Sequence, residues 1–428
     1  GGDLYIADDL VFDEFTARNG NITGVLTTYT LQVTGISTFS DDLDVNADIV
    51  VAGGVDATGI VTALRFETTT TGDTNSFYAG FEAGLTADTD ADDNVMIGYR
   101  AGYDLDNSDY NIGIGREVFS STSNNNSFAN IALGYQALQD ITLGDYNFAA
   151  GYQTLTNVTS GTANNFLGAF AGDALLTGNY NTGLGYQSLS EITDRTGNVA
   201  MGAFAMLQSN NSDYTTAAGY GAGYNCENDY QVHLGYYAGF NAAGFGVVNI
   251  GYQAGYNTSA QYGVHIGYRT SEQSGNDYGS IAIGYQAGYD LEGSYNILLG
   301  WDAGFDLDGS GSYNIGLGYQ SLYQDGGQRD FNIALGYRAL YGNASSSDGD
   351  YNIALGREAG ELLTTGGGNL FIGNYAGEDV TTGSNNVVLK ATSTNYADID
   401  TTKSEQLWIG YEDKAWITGV GKTTTLRY

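Results

Sequence analysis

Proline is absent from all 428 residues, cysteine occurs once, histidine twice, and lysine nowhere before Lys390. Proline removes a backbone donor and is confined to strand edges and bulges. Its absence suits a structure in which most N–H groups feed one continuous ladder. Cys226 alone excludes an intrachain disulfide and reads as a small buried filler rather than a reactive thiol. Basic residues are scarce: 14 Lys and Arg stand against 49 Asp and Glu, a net charge of −35. That balance excludes a phosphate-binding surface and, with it, nucleic acid as a partner. Solubility and resistance to lateral clumping explain the acidic surface first, with cation binding as the alternative. No apolar run approaches the length of a membrane-spanning helix, so no membrane insertion is expected. The chain opens at Gly1 without a methionine, so this N-terminus is expected to be a cut edge.

What is present is glycine, 64 residues of it, together with 42% hydrophobic residues and 35 tyrosines, which is too much burial potential for a disordered linker. The segment "NIALGYQAL" at 130–138 returns as "NIALGYRAL" at 332–340, and its glycine defines a register. Equivalent glycines recur eighteen times from Gly80 to Gly373, at spacings of 16 to 20 residues with 17 the commonest. That period is too short for helical hairpins and fits one coil with two short strands and two turns. The expected fold class is therefore all-β, a parallel β-solenoid (β-roll or β-helix) of about eighteen coils.

Numbering each coil from its glycine as zero, position −1 is Ile, Leu or Met in fifteen copies, and −3 is mostly Ile, Val or Phe. This alternation predicts an aliphatic interior built from −3 and −1, with −2 facing away. Position −2 is often Ala or Gly, as at Gly113, Ala132, Ala149, Gly183 and Ala334, and predicts close approach of another chain. Position +3 is Ala, Ser or Thr in seventeen copies, with Val118 the exception, and predicts a thin cross-section. Glycine at zero serves either a positive φ or a close backbone approach. Asparagine fills position −4 in twelve copies, including Asn94, Asn111, Asn130, Asn147, Asn164, Asn181, Asn296, Asn314, Asn332, Asn352 and Asn369, and predicts a hydrogen-bonded structural ladder. Aromatic residues at +1, among them Tyr99, Tyr135, Tyr152, Tyr252, Tyr285 and Tyr337, predict a stripe along the coils. Ring-on-ring packing or a subunit contact and a carbohydrate platform are the readings open for it.

His233 and His265 both occupy the −2 column. In a trimer with that column at its axis they would form two rings of three imidazoles, each able to hold a metal ion or an anion, or else make plain polar contacts. The acidic stretches "YDLDNSDYN", "YDLEGSYN" and "FDLDGSGSYN" read as turn chemistry with weak calcium contacts as an addition. No nucleophile elbow, H-E-x-x-H pair or P-loop occurs, so no enzyme, catalytic residue or cofactor is expected. The coils are flanked by residues 1–70, rich in short Val/Ile/Thr segments that read as a β-rich shaft, and by residues 391–428, read as a C-terminal β cap or pre-chaperone segment. The repeat array is thus placed at 71–390.

"NIALG" followed by glycine and alanine resembles the head repeats of trimeric autotransporter adhesins, and "GDYNIALGREAG" resembles repeats in long tail fibres of marine bacteriophages. "NITGVL", "VTGISTF" and "DVNADIVVAGGVDATG" are similar to the shaft segments of such fibres, and "SEQLWIGYEDKAWITGV" at 404–420 to the segment preceding an intramolecular chaperone of the endosialidase type. The resemblance implies a homotrimeric rod in the virion or outside the cell, joined at its ends to other fibre or tail proteins. It would attach the particle to a host surface glycan or protein receptor. Two other classes stay open: a bacterial extracellular adhesin or filament subunit, and a tailspike that depolymerises polysaccharide.

Overall fold

The computed structural model describes residues 76–85, 87, 91–121, 126–275, 277–307, 311–323, 329–342, 349–390, 400–411, 414–420 and 423–426. The chain divides into the units Gly1–Leu64 and Arg65–Tyr428. All described residues belong to the second, so the expected shaft over residues 1–70 lies outside them. The described chain is all-β and forms a parallel β-solenoid. Twenty strands, most of three residues, run from Phe77–Ala79 to Gln406–Tyr411, each parallel to the next and paired column on column, as in Ile131↔Phe148, Ala132↔Ala149 and Leu133↔Ala150.

The stacking continues past the last repeat glycine, Gly373. Val387–Lys390 pairs parallel with Leu370–Ile372, and Gln406–Tyr411 follows with Val388↔Trp408 and Lys390↔Gly410. Lys390 thus takes the glycine column for one coil and Gly410 restores it. Lys414–Val420 and Thr423–Leu426 then pair antiparallel, which ends the coil stacking.

Local conformation alone does not favour this backbone. In the coil around Gly134, Ala129, Gln136 and Leu138 all have φ near +50°, and across the described residues forty-five non-glycine residues share the left-handed region. Each costs about 1–3 kcal/mol in isolation. Neighbouring coils offset that cost: Ile131 N donates to Asn147 O (2.8 Å) and Leu138 N to Thr154 O (3.1 Å) above, while Gly134 N donates to Ile114 O (2.9 Å) and Gln136 N to Arg116 O (2.9 Å) below. These partners lie 16 to 20 residues away, so a coil holds its shape through its neighbours. At position zero both reasons for glycine apply: Gly134 has φ +130°, and a Cβ there would sit 2.1 Å from Gly151 O.

The strand phase is opposite to the one expected. Position −2 faces the interior and positions −3 and −1 face out: Ala132 is buried between half-buried Ile131 and Leu133, and Leu167 is 52% exposed. The interior is too thin for two aliphatic side chains per strand, so it takes one inward residue from the strand and others from the turn. Positions +3 and +4 complete it, with Ala137 and Leu138 fully buried. Volume is exchanged between −2 and +4 within a coil. Met96, Phe166, Leu298 and Phe371 face Gly102, Gly172, Gly304 and Gly377, whereas Gly113, Ala132, Ala149 and Gly183 accompany Phe119, Leu138, Leu155 and Leu189. The small residues at −2 therefore make room for side chains of the same chain, and do not mark an approach by another.

Candidate functional site

The −4 asparagines point inward and bond coil to coil. Asn147 Nδ2 donates to Asn130 Oδ1 (3.0 Å) and to Gly161 O (2.7 Å), while Asn147 Oδ1 accepts from Asn164 N and Nδ2, both at 3.0 Å. The same pattern joins Asn111, Asn130, Asn147, Asn164 and Asn181 in one run, and Asn296, Asn314, Asn332, Asn352 and Asn369 in another. Between these runs, after Asn198 and Thr215, position −4 holds Gln231, Val247 and Gly263, and the ladder lapses until Ser280.

The +1 rings lie on the outer surface. Tyr135 stacks on Tyr152 at 4.9 Å, Tyr252 on Tyr268 at 5.0 Å, Tyr268 on Tyr285 at 4.9 Å and Tyr319 on Tyr337 at 5.2 Å, with planes within 10°. Where +1 is Ala169 or Ala203, Phe170 and Phe204 supply the ring from the next position. Where it is Arg116, the guanidinium lies over Tyr99 (4.9 Å) and Tyr135 (6.0 Å), and Arg357 likewise bridges Tyr337 and Tyr375. In the run Tyr236–Tyr285 the inner rings have neighbours on both faces, so edges and hydroxyls are left outward. Sugar stacking needs a free face, which these rings do not offer. A second stripe, absent from the sequence reading, follows the −5 and −6 positions, with Tyr295–Tyr313 at 5.0 Å, Tyr313–Phe331 at 4.9 Å and Phe331–Tyr351 at 5.1 Å. The tyrosine recurring immediately before the ladder asparagine, as in Tyr295–Asn296 and Tyr313–Asn314, was its signal.

In sequence, the outward strand positions fall between these stripes. None of the forty −3 and −1 residues of the twenty stacked strands is charged, although the chain carries 49 acids. Nineteen steps of about 4.8 Å give this face a length of about 90 Å.

His233 and His265 are enclosed within the coils, each 0% exposed, and do not face outward. They belong to one chain of polar side chains. His233 Nε2 faces Gln231 Oε1 (2.5 Å), Asn249 Nδ2 faces His233 Nδ1 (3.2 Å), Asn249 Oδ1 faces His265 Nδ1 (2.8 Å), and His265 Nε2 lies 3.5 Å from Asp277 Oδ2. Both nitrogens of His233 are occupied and the side chains are inside one chain, so the expected rings of three imidazoles around a trimer axis do not form. Burial, then the nearby His265, pushes the His233 imidazole down to about 3.

The acidic turn stretches carry backbone capping: Asp109 Oδ1 accepts from Asp92 N (2.9 Å), and Asp290 and Asp306 pair in a short parallel bridge. Among the described residues three carboxylates, Glu358, Glu361 and Glu378, have oxygens within 4.8 Å of one another. Arg338 lies 2.7 Å from Glu361, and burial together with Asp379 and the two other glutamates pushes Glu378 up to about 7. The sequence hid this cluster because it joins +2 and +5 of one coil to +5 of the next. Cys226 is buried against the Ser209 and Ser212 hydroxyls, and burial pushes its thiol up. No helix of the described residues is long and apolar enough to cross a membrane. No protein-family model matches the chain, and no curated protein matches it.

Proposed function

We propose that the chain is a structural rod of a virion tail fibre that mediates attachment to a host cell, and that it works as a homotrimer packed through the −3/−1 sheet face. The observation that carries the reading is the lack of charge on that face. At a width of about 10 Å it amounts to about 900 Å², more than the 300–600 Å² of the largest apolar patch on a typical monomer and close to the ~800 Å² per partner of a stable interface. A partner whose own rows repeat at the coil spacing fits it best, and a second copy has that spacing. The acidic residues lie off this face and keep assembled rods apart. Other fibre or tail proteins would join at the ends, and a surface glycan or protein would be the receptor.

Mass in solution together with electron micrographs of virions tests the reading. Three chains per particle and rods on phage tails are the expected results. A monomer would sink the trimer, and bundles on bacterial cells would turn the reading to an adhesin or filament. Shortened products after incubation with host polysaccharide would turn it to a tailspike.

A further inference from the structure

The polar chain from Gln231 to Asp277 interrupts the solenoid in three ways at one place. The apolar core is divided there: one cluster of buried hydrophobic residues ends at Ala242 and the next begins at Leu291. The asparagine ladder lapses over the same coils, at Gln231, Val247 and Gly263. Buried side-chain polar atoms without a hydrogen bond lie there too, on Thr270, Ser271, Ser274 and Asp277, beside the long 3.5 Å contact of His265 Nε2 with Asp277 Oδ2. Regions with few buried apolar contacts and unsatisfied polar groups are the ones that open first.

The hydrogen bonds around His233 run in one direction only. Asn249 accepts from His265 through Oδ1 and donates to His233 Nδ1 through Nδ2, so His233 carries its proton on Nε2, toward Gln231 Oε1. Gln231 Nε2 in turn donates to the carbonyls of Glu227, Asn228 and Gly244. A second proton on His233 Nδ1 would meet the Asn249 amide hydrogens. Turning that amide over would give His233 an acceptor and set the NH2 against His265 Nδ1, which would have to move its proton to Nε2, toward Asp277; the imidazolium itself would still be fully buried with no carboxylate in contact. The strands on either side, Thr216–Ala218 and Val248–Ile250, bring Ala217 and Asn249 to the ring, and the turns bring Gly223 and Gly239. None of these carries a charge. The titratable side chains of the chain are His265, beyond Asn249, and Asp277, beyond His265.

We propose that this polar chain is an acid-release joint: proton uptake by His233 breaks it and opens the coils between Thr216 and Ile283, while the apolar stacks on either side hold. The inference concerns a single chain and stands whether or not the rod is a trimer. The depressed imidazole agrees in sign, since a histidine held neutral when folded takes up a proton on opening and acid favours the open form.

Hydrogen exchange of the full chain at pH 7 and pH 4, corrected for intrinsic rates, tests it. Protection over 232–266 is expected to fall in acid by at least about tenfold more than over the flanking strands Val199–Met201 and Ile297–Leu299. The variant His233→Asn, which places in this column the residue Asn249 already provides, is expected to keep its protection in acid. Equal loss along the rod would overturn the proposal, and so would an undiminished acid response in the variant. If the variant does not fold, the wild-type comparison decides.

Discussion

Phe166 occupies the space that Gly172 leaves six residues later in the same coil: a Cβ on Gly172 would lie 2.6 Å from the Phe166 ring. Three coils below, Gly113 and Phe119 show the reverse arrangement, with Phe119 fully buried. In coils such as these the core is filled once, from either of two positions.

Exchange between those positions is therefore expected to be tolerated. Phe166→Ala should cost about 3–5 kcal/mol through lost burial and a cavity. Gly172→Leu should cost about 1–3 kcal/mol by overpacking. The double variant reproduces the Ala149/Leu155 pair and should recover much of both losses, read as a coupling energy of about 1–3 kcal/mol from urea unfolding. Strict additivity would refute the exchange.

Glycines of the zero column should differ sharply from glycines elsewhere. Gly134→Ala places a Cβ against the backbone oxygen of Gly151 at φ +130°, where neither atom can move aside cheaply. A loss above about 3 kcal/mol is expected from strain and separated coils. Gly275→Ala meets nothing closer than the Glu292 side chain at 3.4 Å and should stay within about 0.5 kcal/mol of wild type. Melting temperatures of the two variants check the contrast.

For the ladder, Asn147→Ala leaves Gly161 O and the Asn164 backbone N–H without partners, removes one bond each from Asn130 Oδ1 and Asn164 Nδ2, and should cost about 2–4 kcal/mol. Asn147→Ser should be milder, because Ser280 Oγ already accepts from Asn296 N at 2.9 Å in the same column. Asn147→Asp sets a carboxylate against two acceptors, so its loss should exceed that of serine and shrink on acidification. Denaturation midpoints at two pH values would reveal a ranking that contradicts this.

Glu378 supplies a pH dependence of the opposite sign to His233. Its folded carboxyl is raised to about 7 by burial and by Asp379, Glu361 and Glu358, so between 4.5 and 7 the folded chain binds more protons than the unfolded one. Its contribution is fully present below 4.5 and is lost as pH rises through 7. Glu378→Gln should therefore stabilise the C-terminal coils at pH 8 and have little effect at pH 4.5. Thermal unfolding at both values tests the difference, and solvent screening at this half-exposed site keeps the effect small.

The eighteen glycines, the twelve asparagines at −4 and the rings at +1 fixed the coil length, the parallel stacking and the columns, because the coils repeat the same physical demand at the same place. Period-2 alternation shows which residues share a face of a strand but not which face is inside. The usual assumption that larger apolar residues lie inward fails here because the coil is too thin. Only the stacked structure decided that Ala132 faces in while Ile131 and Leu133 face out. Only stacking, too, closed His233, Asn249 and His265 into one polar chain, since their contacts run between residues 16 apart in sequence and depend on which way the strand faces.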